Sequence, residues 1–396
     1  MMNEERSGGQ GGNQGGDQGA NQGGNQGGGQ GGSQGSNQGG GQGGDQGGQG
    51  GRQGGHHGGQ GGHGGGRHVR YRDRRRRFDN RQQQQQRRPQ ENNGNQGNVA
   101  PRAPSGPQRT ADEVAFMAKT PVDPHQWICL EKGSTDPSMR ALDLLSPIGK
   151  GTRGLIVSPP KAGKTTFLKQ ISNAVYGVEP AIKQFCLLVD ERPEEVTDFK
   201  RSVPAEVWAS SSDQSYERHR EVAEGLMRAA ISAAAQGADV LILLDSLTRL
   251  ARVHNQFAVG NRTMSGGLDS RAMEIPRRFF GAARKLEEGG SLTIIASILV
   301  DTGSRMDDII FQEFKGTGNM ELVLFRSAAE ARIFPALKIR DTGTRKEEKL
   351  LPPDILEGVF KLRRHLAPLG EMDATKAMHE LLMTYKTNKA LLASLK

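Results

Sequence analysis

Large apolar residues are almost missing from the first hundred positions of this 396-residue chain. A segment that poor in apolar surface cannot offset the entropy of ordering itself, which excludes a packed core there. Cysteine is nearly absent as well. Cys129 and Cys186 are the only two, and without paired spacing they exclude a disulfide framework and a zinc site. The chain has no apolar run of the roughly 18 residues a membrane span needs, and residues 1–10 carry charge but no apolar leader segment. A cytoplasmic protein with no membrane partner is the expectation.

What fills the N-terminal third is polar. Residues 7–66 are almost wholly Gly, Gln and Asn with scattered Asp and His, a composition that predicts disorder. Residues 67–88 then gather ten arginines around Tyr71, Phe78 and a glutamine run. A block of one charge sign reads as a basic interaction arm, and the formal net charge of +9 suits a polyanionic partner, since arginines release counterions from phosphate backbones. The plainer alternative is a solubilising tail.

From about residue 110 the composition changes to short apolar runs alternating with longer amphipathic stretches, the pattern of an α/β domain with a mainly parallel sheet. Strands are predicted at 154–157, 185–190, 206–210, 240–245, 292–300 and 320–325, several continuously apolar as strands covered on both faces are. Helices are predicted at 164–175, 194–202, 217–236 and 271–288. A C-terminal helical segment carrying Leu381, Leu382, Leu391 and Leu392 reads as packing. The expected division is residues 1–109 disordered and residues 110–396 one domain.

The run Gly154-Leu-Ile-Val-Ser-Pro-Pro-Lys-Ala-Gly-Lys-Thr-Thr166 sets a strand, a tight loop and a helix start in the order a phosphate-binding loop requires. Loop N–H groups and the helix N-terminus would face phosphates, Lys164 would reach the β and γ groups, and the Thr165 hydroxyl would hold Mg²⁺. Ser158 stands where the common pattern has Gly, and an ordinary strand-to-helix turn has similar residues. Two predicted strands end in acids, at Asp190-Glu191 and Asp245, and in open α/β sheets ligands bind beyond such ends. Asp245 would orient Mg²⁺, and Glu191 would orient or deprotonate the attacking water. The alternative is that these acids cap the helices that follow.

Further motifs follow in order: Ile148-Gly-Lys-Gly-Thr-Arg-Gly154, Asp190-Glu-Arg-Pro-Glu-Glu-Val196, Leu244-Asp-Ser-Leu-Thr-Arg-Leu-Ala-Arg252, Arg278-Phe-Phe-Gly-Ala-Ala-Arg284, Asp301-Thr-Gly-Ser304, Glu313-Phe-Lys-Gly-Thr-Gly-Asn-Met-Glu321 and Gly343-Thr-Arg-Lys-Glu-Glu348. With the phosphate loop, they make the whole segment after residue 110 resemble the ATPase domain of the bacterial transcription termination factor Rho family. The resemblance implies a RecA-like P-loop fold in a homohexameric ring, with ATP between subunits and single-stranded nascent RNA in the channel. The implied activity is an RNA-dependent ATPase and helicase that releases transcripts, with the RNA polymerase elongation complex as a further partner.

Carried over by motif, Gly149, Lys150, Gly151, Thr152, Arg153, Gly154, Lys161, Ala162, Gly163, Lys164, Thr165 and Thr166 line the nucleotide. Arg192 lies beside it and Phe334 stacks on adenine. Arg345 matches an arginine finger offered to the neighbour's γ-phosphate, with Arg332 and Arg252 as supporting charge. Residues 255–267, with Arg262 and Thr263, match a first channel loop, and residues 302–306, with Arg305, a second. Lys315 is a further RNA contact.

Members of that family usually carry, ahead of the ATPase domain, a five-stranded barrel that holds RNA. Residues 88–110 are too few and too rich in Pro, Asn and Gly to build one, and no aromatic-rich strand pattern precedes residue 67. The arginine arm, with Tyr71 and Phe78 able to stack on bases, is the expected substitute. Two other readings stay open: a rotary-ATPase-like subunit of the same fold, and an RNA or condensate scaffold that binds nucleotide without motor activity.

Overall fold

The computed structural model describes residues 110–258 and 265–395. The predicted disordered tract, the arginine arm, Arg262 and Thr263 lie outside the described residues. Among the described residues no helix is long and apolar enough to cross a membrane.

The chain opens with α1 (Ala111–Ala118), whose first turn is capped by the Thr110 hydroxyl accepting from Glu113 N–H, and a short edge strand β1 (Pro121–Val122). Helix α2 (Pro137–Leu145) begins at Asp136, whose carboxylate accepts from Ser138 N–H ahead of a first-turn proline, a standard way to satisfy orphan donors. Strands and helices then alternate: β2 (Arg153–Ser158), α3 (Lys164–Val178), β3 (Lys183–Glu191), α4 (Pro193–Ser202), β4 (Glu206–Ser211), α5 (Tyr216–Ala235), β5 (Asp239–Asp245) and α6 (Leu247–Gln256). After them come α7 (Glu274–Gly281), β6 (Arg284–Leu286), β7 (Ser291–Leu299), α8 (Arg305–Phe314), β8 (Met320–Val323), α9 (Arg326–Glu330) and β9 (Gly343–Thr344). Three helices close the fold: α10 (Pro353–Leu366), α11 (Glu371–Thr384) and α12 (Asn388–Ser394).

The sheet runs in the order β4-β3-β5-β7-β2-β8-β9. The first six are parallel, β9 is antiparallel to β8, and β6 with β1 extends the edge of β7 in antiparallel fashion. This is the predicted α/β architecture with a mainly parallel sheet. Strand alternation divides the core in two. Ile156, Leu188, Leu243 and Ile295 pack with α2, α3 and the C-terminal helices, where Leu382 and Leu391 are buried. Leu155, Leu187, Leu244 and Ile294 face the other way, toward α5, α6, α7 and α8. Both sheet faces are therefore covered, and the open surface left to a ligand is the rim beyond the strand ends.

Two predicted boundaries need correction. The helix expected at 271–288 ends at Gly281, and residues 284–286 instead form β6, which pairs with β7 across a turn at Gly289 and Gly290, φ +104° and +78°. Gly290 is required there twice over, since a Cβ would sit 2.8 Å from Ala234 O. The strand expected at 320–325 stops at Val323, because Phe325 turns to become the N-cap of α9.

Candidate functional site

The loop between β2 and α3 carries Lys161 and Gly163 in the left-handed region, φ +64° and +97°. Both precede the first turn of α3, whose N-terminal N–H groups suit an anion. A Cβ at Gly163 would meet nothing within 4 Å; backbone conformation, not space, selects glycine. Ala162 is buried, while Lys161 and Thr166 are exposed at the rim.

Lys164, the first residue of α3, stands between two acids. Its Nζ lies 2.7 Å from both carboxylate oxygens of Asp245 and 3.2 Å from Glu191 Oε1. Thr165 Oγ1 donates to Asp245 Oδ2 at 3.3 Å. Asp245, last residue of β5, also accepts from Ser297 Oγ on the neighbouring β7 at 2.9 Å. Glu191 arrives by a different route. The register of β3 against β4 shifts between Val189 and Glu191, with Asp190 at φ +56°, and such a bulge re-aims the next side chain. Glu191 is thereby 2% exposed beside the loop, although Val189 before the bulge is also buried.

The electrostatics follow from this crowding. Burial opposes the charge of Lys164, but Asp245 and Glu191 outweigh it and hold its pKa above the usual lysine value. Burial, helped by the negative charge of Asp245, raises Glu191 against the pull of Lys164 and Arg249. Arg249, on α6, reaches Glu191 at 3.4 Å and Asp190 at 3.7 Å. Arg249 and Ser297 escaped the sequence reading. The first sits four residues after Asp245 in a quoted motif, and the second is a hydroxyl within an apolar strand, which was the available signal.

The remaining predicted residues fall at two ends of the sheet. Arg192, Arg332 and Phe334 are exposed on segments that leave the C-terminal ends of β3 and β8, the end that carries the phosphate loop. Phe334 is 44% exposed, with its carbonyl 2.6 Å from His379 Nδ1. Arg305 begins α8 at the same end, whereas Lys315 caps the other end of that helix, roughly 15 Å away at helical rise.

Gly149, Lys150, Gly151, Thr152 and Arg153 do not join the phosphate loop. They lie before β2 or at its start, and six strand residues, roughly 20 Å, separate the two ends. Packing explains them. A Cβ on Gly149 would meet Leu350 at 2.4 Å, on Gly151 the Lys285 backbone N at 2.2 Å, and on Gly154 the Met320 sulfur at 2.5 Å. Lys150 pairs with Glu179 and Asp239 at 2.6 and 2.9 Å.

Arg345 sits at that same far end. Its N–H donates to Asn319 O at 2.7 Å, and Asn319 Oδ1 accepts from Arg153 N–H at 2.9 Å. Both guanidinium residues line a cavity of about 220 Å³ with Gly316, Thr317 and Lys346. Burial, and then the charge of Arg345, lower the pKa of Arg153. Asp123 lines the same cavity and pairs with Lys346 at 2.9 Å, which leaves the two guanidinium groups as its excess positive charge.

Together, the parallel sheet, the phosphate loop and two strand-end acids define a P-loop ATPase domain, and residues 138–342 match the ATP synthase alpha/beta family, nucleotide-binding domain. Solved structures of similar fold include a prototypical type III secretion ATPase of pathogenic bacteria, TM-score 0.58 at 22% identity over 71% of this chain and 88% of that one. The assembled type III secretion ATPase EscN of enteropathogenic E. coli aligns with TM-score 0.56 at 22% identity, covering 70% and 74%.

Sequence similarity is more particular. The chain is 50% identical over 284 residues to transcription termination factor Rho of Bacillus subtilis, covering 72% of this chain and 66% of that protein. It is 49% identical over 287 residues to the Haemophilus influenzae protein of the same name, covering 72% and 68%. The chain belongs to the transcription termination factor Rho family, and it spans about two thirds of the length of these relatives.

Proposed function

We propose that this protein is an RNA-dependent ATPase and helicase that moves along nascent single-stranded RNA as a homohexameric ring and releases the transcript, so terminating transcription. The observation that carries the reading is Lys164 held between Asp245 and Glu191 beyond the strand ends. An ammonium that two acids share there stands where phosphates would meet a cation, and the acids are then free for other work.

The residues suit Mg²⁺-ATP. Thr165 and Asp245 offer hard oxygen donors, and among the described residues no group of three or more His, Cys, Asp or Glu gathers to hold an ion by itself. That fits a cation bound by one or two side chains and substrate phosphates. When bound, Mg²⁺ supplies charge neutralisation at the phosphate oxygens. Lys161, Ala162, Gly163, Lys164, Thr165 and Thr166 would cradle the phosphates, Arg192 would flank them, and Phe334 would stack on adenine. Glu191, with its raised pKa, would orient the attacking water and accept its proton.

Arg345 cannot reach its own phosphate loop from the far end of the sheet. It would serve the neighbour's γ-phosphate in a ring, with Arg153 beside it, while Arg332, at the phosphate-loop end, would add charge beside its own chain's nucleotide. RNA would contact Arg262, Thr263, Arg305 and Lys315 in the channel, and the elongation complex would be the partner that delivers it. The cytoplasm is the compartment this implies.

ATP hydrolysis measured with and without single-stranded RNA, beside Glu191→Gln and Arg345→Ala, tests the reading. Strong RNA stimulation in the parent protein, lost at least 100-fold in both variants, is the expected result. Hydrolysis indifferent to RNA would favour a rotary-type subunit, and none at all a nucleotide-binding scaffold.

A further inference from the structure

A cavity of about 640 Å³ opens beside Asp190, and its walls come from α6, the start of α5 and the described parts of both expected channel loops: Arg249, Arg252, Tyr216, Gly266, Ser304 and Arg305. Tyr216 is the unexplained member. It opens α5, where a polar residue would serve the helix equally well, yet its ring is 49% exposed. His219, itself 3% exposed, braces it edge-on at 6.0 Å between ring centroids, with the planes at 81°. An aromatic held in one orientation and left half in water is a poor contributor to a core and a good platform for another ring.

The charges around it are arranged unequally. Arg249 is engaged by Asp190 and Glu191. Arg252 grips Asp307 at 2.6 and 2.9 Å, yet 43% of its side chain stays exposed. Arg305 is exposed and makes no ion pair among the described residues. The unpaired positive charge therefore lies on Arg305, next to the exposed edge of the paired Arg252, and Asp190, partly exposed, repels phosphate from the other side.

We infer that Tyr216 is an RNA contact: one nucleotide of the strand stacks its base on the Tyr216 ring and sets its phosphate on Arg305 and the outer edge of Arg252. The inference rests on the RNA-driven reading above and adds a stacking site to it. Aromatic stacking tolerates any base, which suits a strand that must keep moving. Arg249 on α6 lines the same cavity and lies 3.4 Å from Glu191, so a base stacked on Tyr216 and the water-activating acid have this arginine as a common neighbour.

Titrating full-length protein with a single-stranded RNA homopolymer and reading ATP hydrolysis tests this. For Tyr216→Ala the RNA concentration giving half-maximal stimulation rises about ten-fold, and Tyr216→Phe stays within about two-fold of the parent because the ring is kept. Equal half-saturation in Tyr216→Ala and the parent overturns the inference, as does equal damage in the Phe and Ala variants.

Photocrosslinking an oligonucleotide that contains 4-thiouridine, followed by peptide mapping, reads the contact without catalysis. The label falls on the peptide containing Tyr216 and survives excess ATP. Should RNA fail to stimulate the parent protein while the crosslink forms there, the motor reading falls and the contact stands. No crosslink at that peptide removes the contact, and displacement of the label by ATP would assign the cavity to a mononucleotide instead.

Discussion

Lys164 illustrates why a few residues of this site were legible from sequence. Its spacing from the preceding glycine and the following threonines is dictated by the loop, so side-chain identity and position travel together. Asp245 and Glu191 were legible for a related reason, as acids at the ends of apolar strands. The bulge at Asp190 that turns Glu191 inward left no such mark, and Arg249 is distinguished only by the contacts it makes in the fold.

His254, on α6, is also visible only in three dimensions. It is 5% exposed, and its Nε2 has no hydrogen-bond partner among the described residues. Burial first, and the positive charge of Arg220 second, lower its pKa to about 4 from an ordinary 6.5. A depressed histidine stabilises the fold while neutral, above the unfolded value, and that contribution is lost as pH falls from 6.5 toward 4. The loss amounts to about 3 kcal/mol across the window. Thermal unfolding followed from pH 7 to pH 4.5 should show a steeper fall for the parent than for His254→Phe, which has no proton to bind; parallel curves would show that other groups set the acid limit.

Elements gave a more even match. The parallel strands appear where continuous apolar runs predicted them, because burial on both faces leaves a one-dimensional signal. The predicted helix at 271–288 failed in its second half for the opposite reason. Ala282, Ala283 and Leu286 continue a helix-like apolar pattern, but pairing with β7 is a long-range contact that outweighs local preference. Helices α6 and α8 present a similar long-range link, since Arg252 on the first forms two hydrogen bonds with Asp307, which is 0% exposed on the second. Thr302 Oγ1 gives Asp307 a further donor at 2.7 Å. Arg252→Ala leaves a buried carboxylate short of its cation, at a cost of about 2 kcal/mol. Arg252→Ala/Asp307→Asn should recover part of it, because the orphan charge is gone. Unfolding midpoints for the three proteins check this, and a double variant no better than the single would place the loss in packing instead.

At the scale of the whole molecule, the sheet separates two chemistries by its own length: the phosphate loop with its acids at one end, and Arg153 with Arg345 at the other. One chain cannot bring them together, which is the gap the proposed ring would close. The motifs name these parts, but their separation emerges only from strand direction. The arginine block at residues 67–88 adds a third region, and its contribution follows from charge alone. Each phosphate it neutralises on a single strand adds about 0.7 to the slope of log affinity against log salt. Replacing its ten arginines by glutamine should therefore weaken RNA binding at low salt and flatten that slope by several units, with the RNA-free ATPase rate retained. Filter binding or fluorescence anisotropy between 50 mM and 300 mM salt, at about those limits, measures both quantities. An unchanged slope would make the arm a solubilising tail and leave RNA binding to the proposed channel contacts by themselves.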